Sequence, residues 1–105
     1  MAIEEISVQD LVALGTAAQI VDVREIDEWT AGHIEHAVHI PLGAVPERLA
    51  EFQGSPCYVI CRSGGRSTAA CELAAAQGHD VVNVTGGMLA WIEAGFDFAG
   101  PAASG

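Results

Sequence analysis

The chain contains no lysine. Arginine supplies all four of its cationic side chains against 14 aspartates and glutamates, a formal net charge of −10 over 105 residues. So acidic a balance argues against nucleic acid or an anionic membrane as partner, because both need a basic footprint. No apolar run approaches the roughly 20 residues that cross a bilayer. The opening MAIEEISVQD lacks the basic start and apolar middle of a secretory signal, so the expectation is a soluble, cytoplasmic protein. Cysteine is scarce and odd in number: Cys57, Cys61 and Cys71 exclude a fully paired disulfide framework, and free thiols fit a reducing compartment. Cys57 and Cys61 also stand about 13 Å apart by strand rise, too far for a bridge.

Paired metal-ligand spacing is missing too. Cys57 and Cys61 have no second cysteine or histidine pair to complete a zinc site. His33, His36 and His39 recur at intervals of three, but Pro41 and the extended AVHIP keep them off one helix. Structural or surface roles are expected for all three, and no metal or cofactor.

What is present is a folded chain with one core. Half the residues are hydrophobic, and 105 residues suffice for a single domain. EEIS reads as a short strand, and Ser7 with Asp10 resembles a capping box opening a helix through about Leu14. QIVDV (Gln19 to Val23), AVHIP, PCYVIC (Pro56 to Cys61) and VVNV (Val81 to Val84) read as further strands, rich in β-branched residues. Helices are expected at Glu25 to Ala31, closed by Gly32, and at Val45 to Phe52, with Pro46 in the first turn. Two more are expected in RSTAACELAAAQGHD and TGGMLAWIEAGF, with Phe96 and Phe98 folding back as a cap on the core. The closing GPAASG (100–105) reads as a frayed tail. Alternating strands and helices predict an α/β fold with a mostly parallel central sheet flanked by helices.

The stretch YVICRSGGRS concentrates the chemistry. Arg62 and Arg66, two of only four cations, lie within five residues of Cys61. Cys61 ends a buried strand just before a helix, the edge where α/β sheets bind ligands. Gly64 and Gly65 permit turns that aim successive N–H groups at one point, and the helix expected to begin near Ser67 adds its positive end. A thiol there is expected to ionise below its ordinary value of about 8.5. Phosphatases place five residues between such a cysteine and the following arginine; here Arg62, Ser63, Gly64 and Gly65 make four. The smaller cradle suits one extra sulfur atom better than a tetrahedral phosphate. Asp22 and Arg24 read as an internal ion pair bracing the neighbouring loop, Cys71 as a small hydrophobe facing the sheet, Trp91 as core, and Trp29 as core or a wall of the pocket mouth.

VDVRE with EWTAGHIEHAVHIP, then YVICRSGGRS, then VTGGMLAW occur in the order and spacing of a single-domain rhodanese, and nearly the whole chain resembles that family. The resemblance implies a three-layer rhodanese-like domain and a sulfurtransferase working by double displacement. Cys61 would take sulfur from a donor such as thiosulfate and pass it from a persulfide to a thiophilic acceptor, cyanide in an assay or a thiol in a cell. Arg62, Ser63, Gly64, Gly65, Arg66 and Ser67 would bind substrate and persulfide. A carrier or sensor that serves a protein acceptor, and a non-catalytic binding module, are the alternatives. Where two-domain members carry a basic donor-binding residue, this chain has Glu28 ahead of Trp29, which predicts poor use of a dianionic donor.

Overall fold

The computed structural model describes residues 2–101. Five strands, β1 (Glu4–Ile6), β2 (Gln19–Asp22), β3 (Val38–His39), β4 (Cys57–Ile60) and β5 (Val81–Val84), form one sheet in the order β1-β5-β4-β2-β3. Each neighbouring pair of strands runs parallel. The sheet is therefore wholly parallel rather than mostly so. Four α-helices, α1 (Val8–Ala13), α2 (Ile26–Ala31), α3 (Gly65–Ala76) and α4 (Gly87–Glu93), flank it. This is the α/β architecture expected from the alternation of elements.

Side-chain alternation along the central strands builds two cores. Val21, Val23, Cys57, Val59 and Cys61 face one side, where Ala70, Cys71 and Ala74 of α3 pack with Val45 and Phe52. Ile20 and Ile60 face the other side, against Val8 and Leu11 of α1 and Met88 and Trp91 of α4. The period of two along a strand is what separates these sets. Phe96 closes on Trp91 edge-on, with ring centroids 5.2 Å apart, and Phe98 packs against the same cluster. Both phenylalanines thus cap the core as expected.

Local signals explain most boundaries. Ser7 caps α1 by accepting the Asp10 N–H at 3.1 Å. The reciprocal capping box lies instead at α2, where Glu25 and Glu28 exchange side-chain and backbone hydrogen bonds. Gly32 follows α2 in extended backbone, φ 178°, rather than in the left-handed conformation usual after a helix. Val45 to Phe52 is not the α-helix expected. The chain there forms two 3-10 helices, Leu42–Glu47 and Leu49–Glu51. Helical winding starts before Pro46, so the proline falls inside and has no N–H to return to Leu42. Arg48 then leaves helical geometry at φ −124°.

The chain's end is partly tied down. His33 and Ala99 exchange backbone hydrogen bonds of 2.9 and 2.7 Å, and Gly100 lies so close to Ala31 that a side chain would collide. Residues 102–105 of the expected tail lie outside the described residues.

Asp22 is fully buried and grips Arg24, itself buried, through both carboxylate oxygens, with a shortest contact of 2.8 Å. The same guanidinium donates to the Gly32 carbonyl at 2.7 Å. The pair fastens the end of β2 to the end of α2, as the sequence reading anticipated. Removing the carboxylate would leave a buried guanidinium without its counterion. Asp22→Ala is therefore expected to lower stability by about 3–5 kcal/mol in urea unfolding. Arg48→Ala, which breaks the exposed pair with Glu51, serves as the comparison and should cost far less.

Candidate active site

β4 is the middle strand of the five, and Cys61 is the first residue beyond its carboxyl end. Gly64 makes the turn possible: its φ of 126° lies in the region glycine favours, and it caps α3. The helix begins at Gly65, two residues earlier than the sequence reading placed it. α4 fixes the other side of the loop. Its Met88 and Leu89 N–H groups donate to the carbonyls of Cys61 and Arg62 at 2.8 and 3.0 Å. A side chain at Gly87 would collide with both carbonyl oxygens, so the close approach requires glycine there.

The turn points donors at sulfur. Gly64 N–H donates to Cys61 Sγ at 3.0 Å, and the Ser67 hydroxyl stands 3.2 Å from it. Burial pushes the Cys61 thiol up, but the Ser67 hydroxyl and the backbone N–H groups of Ser67, Gly64 and Ser63 favour the anion and outweigh it. The net direction is below the ordinary thiol value. Cys57 and Cys71, buried without such donors, are pushed up to about 12 by desolvation. One core cluster therefore holds three thiols, of which one is poised to ionise.

The predicted substrate residues divide into two groups. Ser63, Gly64 and Ser67 converge on the sulfur, and Gly65 opens the helix beside them. Arg62 is exposed, at the rim of a shallow groove lined by Ala31, Met88, Leu89, Ile92 and Phe98. Arg66 does not stand free. Its guanidinium clamps Glu28 through two hydrogen bonds of 2.6 and 2.8 Å. That contact holds the Glu28 carboxyl at about 2, against an ordinary 4.5. The clamp's contribution to stability is therefore fully present above pH 4.5 and is lost as pH falls from there through about 2, while in the folded protein the ion pair itself opens only as pH approaches 2. Arg24 and Glu28 also line the groove beside Arg62, and neither it nor a second cavity, between α1 and α4 around Leu11, Ile34 and Trp91, is lined by a cysteine.

Around the site the histidines serve structure. Trp29, half-buried, stacks on His33 at 3.7 Å and on His39 at 4.8 Å. His33 also contacts the Trp29 carbonyl, and His39 the Arg24 carbonyl, each at 2.7 Å. His36 is exposed. Sequence reasoning missed Asn83, which is buried on β5 and accepts a hydrogen bond from Ser67. The signal was a lone polar residue inside VVNV, a strand buried at every position.

The three thiol environments predict selective chemistry. With limiting iodoacetamide at neutral pH, the native protein should be alkylated at Cys61, by peptide mass, before Cys57 or Cys71. Cys61→Ser should abolish the fast phase. Ser67→Ala should move the Cys61 rate profile to higher pH, because a hydroxyl that favours the anion is lost.

A rhodanese-like domain model matches residues 7–94. The Bacillus subtilis protein YtwF is 41% identical over 95 residues, covering 87% of this chain and 92% of its own length. A sulfurtransferase of Allochromatium vinosum is 37% identical over 84 residues, 78% of each chain. Among solved structures, a rhodanese-related protein from Thermoplasma volcanium superimposes with a TM-score of 0.85 at 33% identity, covering 91% of this chain and 97% of the other. With three signatures in order and the same fold, the chain belongs to the rhodanese-like domain family.

Proposed function

We propose that this protein is a sulfurtransferase in which Cys61 carries the transferred sulfur. The observation that carries the reading is the convergence of the Gly64 N–H and the Ser67 hydroxyl on Cys61 Sγ, 3.0 and 3.2 Å away. Family membership and the name of the Allochromatium vinosum relative support it. In the first half-reaction the Cys61 thiolate attacks the outer sulfur of a donor. The donor's S–S bond breaks, its electron pair leaves with sulfite or a thiolate, and Cys61 becomes a persulfide anion. An acceptor thiolate or cyanide then attacks the terminal sulfur and the Cys61 thiolate is regenerated. This splits one transfer into two covalent steps. The Ser63, Gly64 and Ser67 N–H groups hold the anion in each state. No metal or cofactor enters the scheme.

Donor preference follows from the Arg66–Glu28 clamp. Arg66 is neutralised by Glu28, so Arg62 is left as the cation for a donor's anionic end. The clamp also argues against phosphoryl chemistry, where a free arginine beside the cysteine would be needed. We therefore place a persulfide, small or protein-borne, ahead of thiosulfate as donor. A carrier serving a protein acceptor remains the second reading, favoured by the apolar groove beside Arg62. The free thiols and acidic surface suit a reducing, cytoplasmic setting.

Intact mass tests the central step. Incubation with a persulfide donor should add one sulfur, about 32 Da, on Cys61, and cyanide should remove it as thiocyanate. Cys61→Ser should gain nothing; loading of that variant at another residue would overturn the assignment. Glu28→Gln frees Arg66, and losing a partly exposed pair worth about 1 kcal/mol should raise thiosulfate kcat/KM roughly fivefold. Unchanged thiosulfate kinetics would show that Glu28 does not set donor choice.

A further inference from the structure

Among the described residues, the buried polar side chains are Asp22, Arg24, Ser67 and Asn83. The first two satisfy each other. The second two also touch, and the sulfur-transfer scheme leaves Asn83 unused. Asn83 is 2% exposed on β5, and it faces α3 because it shares the parity of Val81. Its Nδ2 donates to the Glu5 carboxylate on β1 at 3.3 Å, and its Oδ1 accepts from the Ser67 hydroxyl. A carboxylate accepts and does not donate, so Glu5 dictates which end of the amide faces it. Glu5 thus orients Oδ1 toward Ser67.

The Ser67 hydroxyl has one proton and three acceptors around it: Asn83 Oδ1, the Gly64 carbonyl at 3.1 Å and Cys61 Sγ at 3.2 Å. When Cys61 is a thiol, its S–H donates to Ser67 Oγ and the hydroxyl donates on to Asn83. Every group is then satisfied. When Cys61 is a thiolate, the sulfur competes for the same proton, and giving it up strands Asn83 Oδ1 in a buried site. Turning the amide over would let Nδ2 donate to Ser67, but Oδ1 would then meet the Glu5 carboxylate. The persulfide moves negative charge from Sγ to the outer sulfur, and the Ser67 proton is free to return to Asn83.

We propose that Asn83, oriented by Glu5, is a positioning residue that acts through Ser67 to favour the states of Cys61 in which Sγ carries no charge, the thiol and the persulfide. The proposal rests on Cys61 being the sulfur carrier for its role in the cycle, but the hydrogen-bond relay does not. Other ionisable groups around the site are Arg66 and Cys71 on α3, which act on Cys61 through charge, Arg62 on the loop, Glu28 on α2 paired with Arg66, and the Asp22–Arg24 pair at the end of β2. None of them hydrogen-bonds Ser67 or Asn83 among the described residues.

The test is the pH profile of Cys61 alkylation by iodoacetamide, read by peptide mass without any sulfur donor. Glu5→Gln leaves β1 intact and gives Asn83 a partner that can donate or accept, so the amide is free to turn. Its Cys61 midpoint should fall, with the acid constant rising about threefold, the scale of one weak hydrogen bond. Glu4→Gln, the same charge change on the neighbouring exposed residue, should leave the midpoint in place. Asn83→Asp, which keeps an acceptor toward Ser67 and cannot donate to Glu5, should raise it. A Glu5→Gln midpoint equal to the parent's, or an equal shift in Glu4→Gln, overturns the relay. If the midpoints move as expected while Cys61 takes no sulfur from any donor, the sulfur-transfer reading fails and the relay stands.

Discussion

Backbone N–H groups turned inward onto one sulfur atom are the constraint that organises this molecule. They face Cys61 because β4 stops one residue short of it and α3 begins after only three more. Gly64 supplies the conformation that so abrupt a turn needs, and Gly87 lets α4 come close enough to hold the loop's carbonyls from outside. Each carbonyl that α4 ties back is one that cannot turn inward and repel a thiolate. The parallel sheet puts all of this at the carboxyl edge of its middle strand. Asp22, Arg24 and Gly32 brace the neighbouring chain at the same edge.

Charge is handled economically in an acidic protein. Burial opposes ionisation of all three thiols, and at Cys57 and Cys71 it prevails. At Cys61 short-range hydrogen bonds reverse the outcome, and Arg66 adds a longer-range attraction while its own hydrogen bonds go to Glu28. Arg66 acts on α2 through Glu28, and that carboxylate also closes the capping box. One glutamate therefore serves helix start, loop clamp and charge balance.

Much of this was legible in the sequence because it depends on local chemistry. Apolar, β-branched runs located the buried strands, and Ser7 marked the start of α1, whereas α3 starts at Gly65, ahead of the position near Ser67 expected for it. Cys61 stood out because arginine is so rare. What local chemistry did not reveal has a different origin, contacts between residues distant along the chain. The pairing of Arg66 with Glu28 joins positions 38 apart. Asn83 was passed over because its partners, Ser67 and Glu5, lie on α3 and β1. The 3-10 winding at Leu42–Glu47 escaped because helical geometry begins ahead of Pro46, a position its spacing does not reveal.

The most direct measurement is a crystal structure of the protein after loading with a persulfide donor. The account predicts one added sulfur on Cys61, its outer atom within about 3.5 Å of the loop's N–H groups. Cys57 and Cys71 should be unmodified. An outer sulfur turned away from those groups, or one carried by another cysteine, would contradict the claim that the Cys61 loop is built to hold it.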